Sequence, residues 1–176
     1  MTISIGDVAP DFSLPDTQGD TWSASDSGAA PATVVVFTCN HCPYALAWQE
    51  RIEQVARDYE ERGVRVLAIN ANDAERYPRD SLQAMKDRVA REAWPMPYLH
   101  DATQEVARAY GAKVTPDVFV LDAERRLRYR GAPDGDYDDP ALRAQWLRDA
   151  LDAVLAGAEP SRSETKPVGC SIKWKP

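Results

Sequence analysis

Two cysteines separated by two residues, Cys39 and Cys42, follow directly after an apolar, β-branched run at residues 32–37. Such a run is typical of a strand that is buried on both faces. From Pro43 onwards apolar residues recur at roughly helical spacing, and a proline is tolerated only in the first turn of a helix. The sequence therefore predicts a strand, a Cys-x-x-Cys pair and a helix in immediate succession, with both sulfurs near the start of the helix.

This placement favours redox chemistry of the two thiols. The unpaired amides and the positive end of the dipole at a helix N-terminus stabilise a thiolate, which is the nucleophile in disulfide exchange. The alternatives are a structural zinc site or two inert thiols. A zinc site needs four ligands, and the remaining candidates, Cys170, His41 and His100, do not show the spacing of a ligand set. We therefore predict a redox-active pair with no metal and no cofactor.

Length, charge and hydropathy narrow the class of protein. A chain of 176 residues suits one domain with extensions. The net charge of −7 argues against a nucleic-acid partner, which calls for a basic patch. No apolar run approaches the ~20 residues needed to span a bilayer, and the first residues lack the basic start and apolar stretch of a signal peptide. Three cysteines do not form a disulfide scaffold. We expect a cytoplasmic protein with no membrane partner.

Periodicity and turn signals along the rest of the chain predict an α/β protein. A short hairpin is expected within residues 6–30, ahead of the main fold. Further strands are expected at residues 64–70, 98–99, 114–121 and 127–130. Helices are expected at residues 43–62, 81–92, 103–110 and 141–156, with Ser81 as an N-cap. This order describes a mixed sheet with helices on both faces.

The order of these elements resembles a known fold and family. A strand, a Cys-x-x-Cys pair, a helix and an X-Pro at the start of a later strand resemble the thioredoxin fold. The opening GDVAPDFSLPDTQGD, the central TCNHCPYA and the closing KPVGCSIKW together resemble the peroxiredoxin-like (AhpC/TSA-related, redoxin) proteins of that fold. The resemblance implies a single domain over residues 1–176, with an N-terminal hairpin extension at 1–30 and a C-terminal tail at 159–176.

The resemblance also assigns roles by position. Cys39 matches the cysteine that attacks a substrate disulfide, and we expect its pKa to lie below that of a free thiol. Cys42 matches the cysteine that resolves the mixed disulfide. Pro116 matches the cis-proline that faces the pair, so that the Thr115 backbone is offered to an extended substrate segment. His41 is expected to stabilise the thiolate. Three further residues are expected to support the site: Thr38, Asn40 and Pro43.

Two alternatives remain open. The first is an antioxidant thiol peroxidase that uses Cys42 or Cys39, since the peroxidatic cysteine of peroxiredoxins also precedes a proline. However, Cys39 stands where those enzymes have a threonine, and Thr115 with Pro116 occupies the region of their arginine, which predicts slow reaction with peroxide. The second alternative is a metal carrier, with Cys39, Cys42 and His100 as ligands, or a redox-responsive binding module.

The resemblance implies the partners as well. We expect a protein or low-molecular-weight thiol or disulfide as substrate, and a thioredoxin or glutathione system as electron donor. The polar tail carries Cys170, followed by the apolar residues Ile172 and Trp174. About ten extended residues reach ~33 Å, which is enough to return to the active site. We therefore expect the tail to dock, either to pack Cys170 or to use it as a third redox thiol.

Overall fold

The structure is a computed structural model that describes residues 2–25 and 30–176. Nine short strands lie along this part of the chain: β1 Leu14–Pro15, β2 Thr21–Trp22, β3 Ala32–Phe37, β4 Arg65–Asn70, β5 Tyr98–His100, β6 Val114–Thr115, β7 Asp117–Asp122, β8 Leu127–Gly131 and β9 Cys170–Ser171. The α-helices are α1 Pro43–Asp58, α2 Leu82–Glu92, α3 Glu105–Tyr110 and α4 Gln145–Leu155.

Five of the strands form the central sheet, in the order β5-β4-β3-β7-β8. β3 pairs in parallel with β4, and β4 pairs in parallel with β5. On its other side β3 pairs antiparallel with β7, which in turn pairs antiparallel with β8. The mixed sheet predicted from the sequence is confirmed, and β3 lies at its centre.

The central position of β3 explains its unbroken apolar sequence. All six of its residues are buried, because both faces of the sheet are covered. Val34 and Val36 pack into one core cluster together with residues of α1 and α4, whereas Val35 and Phe37 pack into a second cluster with residues of α3. β3 is therefore held rigidly from both sides, and it ends directly at the cysteine pair.

The predicted N-terminal hairpin is present as β1 and β2, which pair antiparallel. The side chain of Asp16 shapes the turn, because it accepts hydrogen bonds from the amides of Gln18 (2.8 Å) and Asp20 (3.0 Å) and from the indole of Trp22 (2.8 Å). Residues 1 and 26–29 of the predicted extension lie outside the described residues. The division of the chain at residues 30 and 159 stays a prediction.

Two predicted elements differ from those observed. Residues 114–121 are not one strand, because the cis peptide bond before Pro116 separates β6 from β7, and the two strands belong to different sheets. The last helix begins at Gln145 rather than at residue 141. The carboxylate of Asp139 accepts the amide of Ala141 (2.9 Å), and Ala144 has a positive φ of 59°, so residues 141–144 stay outside the helix.

Helix α2 is the part of the active-site surroundings that the sequence predicts most closely. Ser81 caps it, with its hydroxyl accepting the Ala84 amide at 3.1 Å.

Across residues 2–25 and 30–176, the helices are too short or too polar to cross a membrane.

Candidate active site

The Cys-x-x-Cys pair bridges the end of β3 and the start of α1. The amide of Thr38 still donates to the Ile69 carbonyl (2.8 Å), so the chain remains tied to the sheet until one residue before Cys39. Cys42 is the N-cap of α1, and Pro43 occupies the first turn, as predicted. The amide of Ala45 reaches the Cys42 sulfur. Both sulfurs are deeply buried, with relative exposures of 1% for Cys39 and 0% for Cys42.

The loop that precedes β7 lies against both sulfurs. The peptide bond between Thr115 and Pro116 is cis, as the resemblance implied. Thr115 contacts each cysteine through a different atom: its Oγ1 lies 3.3 Å from Cys39 Sγ, and its carbonyl oxygen lies 3.3 Å from Cys42 Sγ, which donates to it in the thiol form. Thr115 is therefore the residue that lies against both members of the pair.

The two thiols differ in acidity, in the direction opposite to the prediction. A hydrogen bond from Cys39 lowers the pKa of Cys42 to about 4, with further lowering from Cys170 and from the Ala45 amide, although burial acts against it. The pKa of Cys39 is raised well above that of a free thiol, because Cys39 keeps its proton in the hydrogen bond to Cys42, is buried, and lies near the Asp80 carboxylate.

The position of the helix favours Cys42 over Cys39 as the more acidic thiol. α1 begins at Pro43 and its Ala45 amide reaches Cys42, whereas Cys39 receives the His41 amide of the preceding loop. Cys39 donates the hydrogen bond between the two thiols, which lowers the pKa of Cys42 and raises that of Cys39. This matches the alternative in which the cysteine before the proline is the nucleophile.

A buried carboxylate lies beneath the Cys-x-x-Cys loop. Asp80 is fully buried, and its oxygens accept hydrogen bonds from the Asn40 amide (2.7 Å) and from the side chains of Asn70 and Asn72 (both 3.0 Å). His41 Nδ1 lies 2.7 Å from Asp80 Oδ2. The imidazole is therefore directed towards Asp80, and the carboxylate anchors two consecutive residues of the loop.

Asn40 ties the loop to two neighbouring elements. Its side-chain oxygen accepts hydrogen bonds from Arg88 Nη1 (3.0 Å) on α2 and from the Tyr98 hydroxyl (2.8 Å) on β5. The same guanidinium nitrogen donates to the Cys39 carbonyl oxygen at 3.0 Å. Arg88 is buried and also stacks on Trp94, with its guanidinium carbon 5.0 Å from the ring centroid. Hydrogen bonds with Asp80, Arg88 and Tyr98 therefore hold the loop that carries the cysteines.

Asp80, Arg88 and Tyr98 are site residues that the sequence did not predict. One signal pointed to Arg88: it stands three positions after Met85, on the apolar face of α2, where a charge requires a buried partner. Asp80 gave no comparable signal, since it lies in a polar turn between Pro78 and Ser81. Its burial depends on the parallel pairing of β3 with β4, which brings the end of β4 beside the cysteine loop.

The tail returns to the site, as predicted. β9 pairs antiparallel with β6, so that Cys170 lies opposite Thr115. Cys170 packs against the cluster formed by Cys39, Cys42 and Ala45. All three cysteines are free thiols in the structure.

Within the described residues, one group of side chains could present three ligand atoms to a metal ion. These atoms belong to Cys39, His41 and Asp80, and they lie within 4.8 Å of one another. His100, at the end of β5, is not part of the group. The ligand set expected for a metal carrier, with His100, is therefore wrong. The Asp80 oxygens in the observed group are already occupied by hydrogen bonds from the loop and from two asparagines.

Comparison with solved structures shows what the whole fold is similar to. The crystal structure of an uncharacterized conserved protein from Geobacillus kaustophilus is 40% identical, with a TM-score of 0.93 over 98% of this chain and 93% of that one. The exposed lipoprotein thioredoxin Etrx1 from Streptococcus pneumoniae strain TIGR4 is 21% identical, with a TM-score of 0.61 over 73% of this chain and 93% of that one. The fold is thioredoxin-like, as the resemblance implied.

Sequence comparison adds a relative and a family model. The thiol-disulfide oxidoreductase ResA of Geobacillus thermodenitrificans (strain NG80-2) is 22% identical over 128 residues, which cover 72% of this chain and 68% of ResA. The model described as the AhpC/TSA family matches residues 5–130, a range that includes the cysteine pair, Thr115 and Pro116.

Proposed function

The chain belongs to the AhpC/TSA family, and from that premise we propose that it is a thiol–disulfide oxidoreductase that exchanges the Cys39–Cys42 dithiol with an external disulfide. In the reducing direction, the Cys42 thiolate attacks one sulfur of the external disulfide and releases one thiolate. Cys39 then loses its proton and attacks Cys42 Sγ, which releases the second thiol and leaves a Cys39–Cys42 disulfide. Two electrons pass from the pair to the substrate.

The observation that carries this proposal is a pair of hydrogen-bonded thiols at the start of α1, with Thr115 lying against both sulfurs. Cys42 receives the Ala45 amide of α1 and a hydrogen bond from Cys39, and both lower its pKa and favour the thiolate. Cys39 keeps the proton and lies within bonding reach of the disulfide to be resolved. A nucleophile beside its resolving thiol is the arrangement that exchange requires.

We further propose a protein or small-molecule thiol or disulfide as substrate. The Thr115 backbone lies against Cys42 and is paired with Cys170 of β9, so an extended substrate segment would pair there in place of the tail. A thioredoxin or glutathione system would serve as electron donor. The cytoplasmic location expected from the sequence stays a prediction.

The family also contains peroxidases, so the test must separate two oxidants. Cys42 resembles a peroxidatic cysteine in its acidity and in its position before Pro43. However, Cys39 occupies the threonine position, and the nearby guanidinium of Arg88 is engaged by the Cys39 carbonyl and by Asn40. Because this guanidinium is already engaged, it is not available to polarise a peroxide, so we expect disulfides to be the better substrates.

The experiment compares turnover with a peptide disulfide and with hydrogen peroxide, using dithiothreitol as reductant. The wild-type protein should accelerate reduction of the disulfide, and both Cys39→Ser and Cys42→Ser should fall to the uncatalysed rate. Rapid consumption of peroxide, with no acceleration of disulfide reduction, would instead establish the peroxidase alternative. Exposed Ser161→Ala serves as the control variant.

A further inference from the structure

The C-terminal strand occupies the backbone edge that lies against the cysteine pair. In the β6–β9 pairing, Cys170 is opposite Thr115 and Ser171 is opposite Val114. Gly169 makes this approach possible, because a Cβ atom at that position would overlap the Thr115 carbonyl oxygen. The tail backbone thus lies in direct contact with the residue that contacts both sulfurs.

Contacts beyond Cys170 hold the tail in place. The amide of Ile172 donates to the Lys113 carbonyl (3.0 Å), and the Ile172 side chain, 3% exposed, is buried in the second core cluster. The amide of Lys173 donates to Asn72 Oδ1 (2.9 Å), and its carbonyl accepts Gln104 Nε2 (2.9 Å). These bonds tie the tail to the loops after β4 and before α3, so Cys170 has a fixed position.

The three thiols of the site differ in their access to solvent. Cys39 and Cys42 are fully buried, whereas Cys170 is half-buried and reaches the surface. The side chain of Cys170 is also hydrogen-bonded to Cys42. Cys42 therefore lies in contact with two thiols, one buried and one accessible.

Cys42 is close enough to Cys170 to affect the ionisation of its thiol. The pKa of Cys170 is raised to about 11 by partial burial, by its hydrogen bond to Cys42 and by the charge of Cys42. When Cys42 enters a disulfide, the last two causes disappear. The Cys170 thiol then becomes easier to ionise at the time when a disulfide is present for it to attack.

We propose that Cys170 is a third redox residue, which exchanges with the Cys39–Cys42 disulfide through a Cys42–Cys170 disulfide. This step rests on the proposed function. The Cys170 thiolate attacks Cys42 Sγ, the bond between Cys39 and Cys42 breaks, and the electron pair leaves on Cys39, which takes up a proton. The step moves the disulfide outwards without net oxidation.

The disulfide is then accessible to an external thiol. The external thiolate attacks Cys170 Sγ, the half-buried sulfur of the three, and Cys42 leaves as a thiolate. A second external thiol attacks the mixed disulfide and frees Cys170, so two external thiols are oxidised to one disulfide and the Cys39–Cys42 dithiol is regenerated. The docked tail thereby connects a fully buried pair to thiols in solution.

Trapping the intermediate tests the connection. The first Lys or Arg of the chain is Arg51, so Cys39 and Cys42 share one tryptic peptide, and the variant Cys39→Ser is needed to identify Cys42. Treatment of this variant with one equivalent of diamide should yield mainly an intramolecular disulfide that joins peptide 1–51 to peptide 163–173. Formation of intermolecular Cys42 disulfides, with Cys170 still free, would overturn the proposal.

A second variant separates the geometry from the chemistry. Gly169→Val keeps every thiol but places a side chain against Thr115, so in the Cys39→Ser background it should slow formation of the Cys42–Cys170 bond by about tenfold or more. Ser171→Ala, with an exposed side chain on the same strand, is the matched control. Equal rates in the two variants would show that docking does not place Cys170, and would contradict the proposal.

The failure of this proposal can be distinguished from failure of the proposed function. In Cys170→Ser the Cys39–Cys42 disulfide should still form, but its reduction by glutathione should be slower by about tenfold, because the accessible sulfur has been removed. Reduction at the wild-type rate would eliminate Cys170 as a redox residue and leave exchange at the pair intact. A wild-type protein that forms no Cys39–Cys42 disulfide would overturn both.

Discussion

Cys42 owes its acidity to neighbours supplied by four separate parts of the chain. The Ala45 amide comes from α1, the Cys39 thiol from the preceding loop, the Thr115 hydroxyl from the segment before β7, and the Cys170 thiol from the tail. A single group of this kind lowers a thiol pKa modestly, whereas several acting together offset the cost of burying a charge. The chemistry of the site therefore depends on the assembled fold and not on the Cys-x-x-Cys motif alone.

The thiolate is directly measurable by its ultraviolet absorbance as a function of pH. The wild-type protein should show a step with a midpoint well below the ~8.5 of free cysteine. Cys42→Ser should lose this step. Cys39→Ser should keep it at a higher midpoint, because the strongest hydrogen bond to the Cys42 sulfur is weakened. The opposite assignment, with the step lost in Cys39→Ser and retained in Cys42→Ser, would restore Cys39 as the nucleophile.

Asp80 is the residue whose substitution should disturb the loop most. Asp80→Asn removes the charge opposite His41 and leaves fewer acceptors for buried donors, so we expect the free energy of unfolding to fall by about 1–3 kcal/mol. The pKa of Cys39 should fall as well, since the carboxylate raises it. Urea unfolding and the pH dependence of Cys39 alkylation in a Cys42→Ser background measure the two effects. Asp87→Asn, exposed on α2, is the control, and an equal change in both variants would contradict the assignment.

At the scale of elements, the sequence predicts structure where local signals and tertiary contacts agree. β3 was predictable because its six apolar residues are buried on both faces, and α2 because Ser81 caps a periodic apolar face. Residues 114–121 were predicted as one strand because strand propensity does not show that Pro116 turns the chain between two sheets. The position of Asp80 was not predictable, because its hydrogen-bond partners are distant in sequence.

The tail shows how a weak sequence pattern can specify a docked element. Its anchor, Ile172, is buried in the second core cluster, and truncating such a side chain to alanine costs about 2–5 kcal/mol. Ile172→Ala should therefore open the tail locally and raise the alkylation rate of Cys39 and Cys42 by about tenfold or more. Val168→Ala, whose side chain is 36% exposed, should leave that rate unchanged. Unchanged alkylation in both variants would mean that the tail does not limit access to the pair.

For the whole molecule, the fold brings three distant segments to one end of the sheet: the end of β3, the cis-proline loop and the C-terminal strand. Asp117, directly after the cis-proline, is fully buried and accepts the Lys113 amide at 3.1 Å, so it links the start of β7 to the residue that also binds the tail. Burial raises its pKa to about 6. The protonation of this one residue therefore affects global stability.

Asp117 should make the protein less stable as the pH rises. Its native pKa of about 6 exceeds the ~3.9 of an unfolded chain, so the native state binds the proton more tightly and loses that advantage as the pH rises from about 4 to about 6. Asp117→Asn should lose this part of the pH dependence and should gain up to roughly 2–3 kcal/mol relative to wild type above pH ~6. Urea unfolding across this pH range measures the difference, and a difference that does not vary with pH would contradict the buried ionisation.

The central claim is that Cys39 and Cys42 form a reversible two-electron couple inside this fold. Equilibrating the protein in glutathione buffers of increasing oxidation, followed by acid quenching and mass analysis of alkylated thiols, measures that couple directly. We expect a single transition with two-electron steepness, at a potential within the roughly −270 to −120 mV of thioredoxin-fold proteins, which is abolished in Cys39→Ser and in Cys42→Ser. Two thiols that remain reduced across the whole series, or that are oxidised only to intermolecular disulfides, would contradict the account.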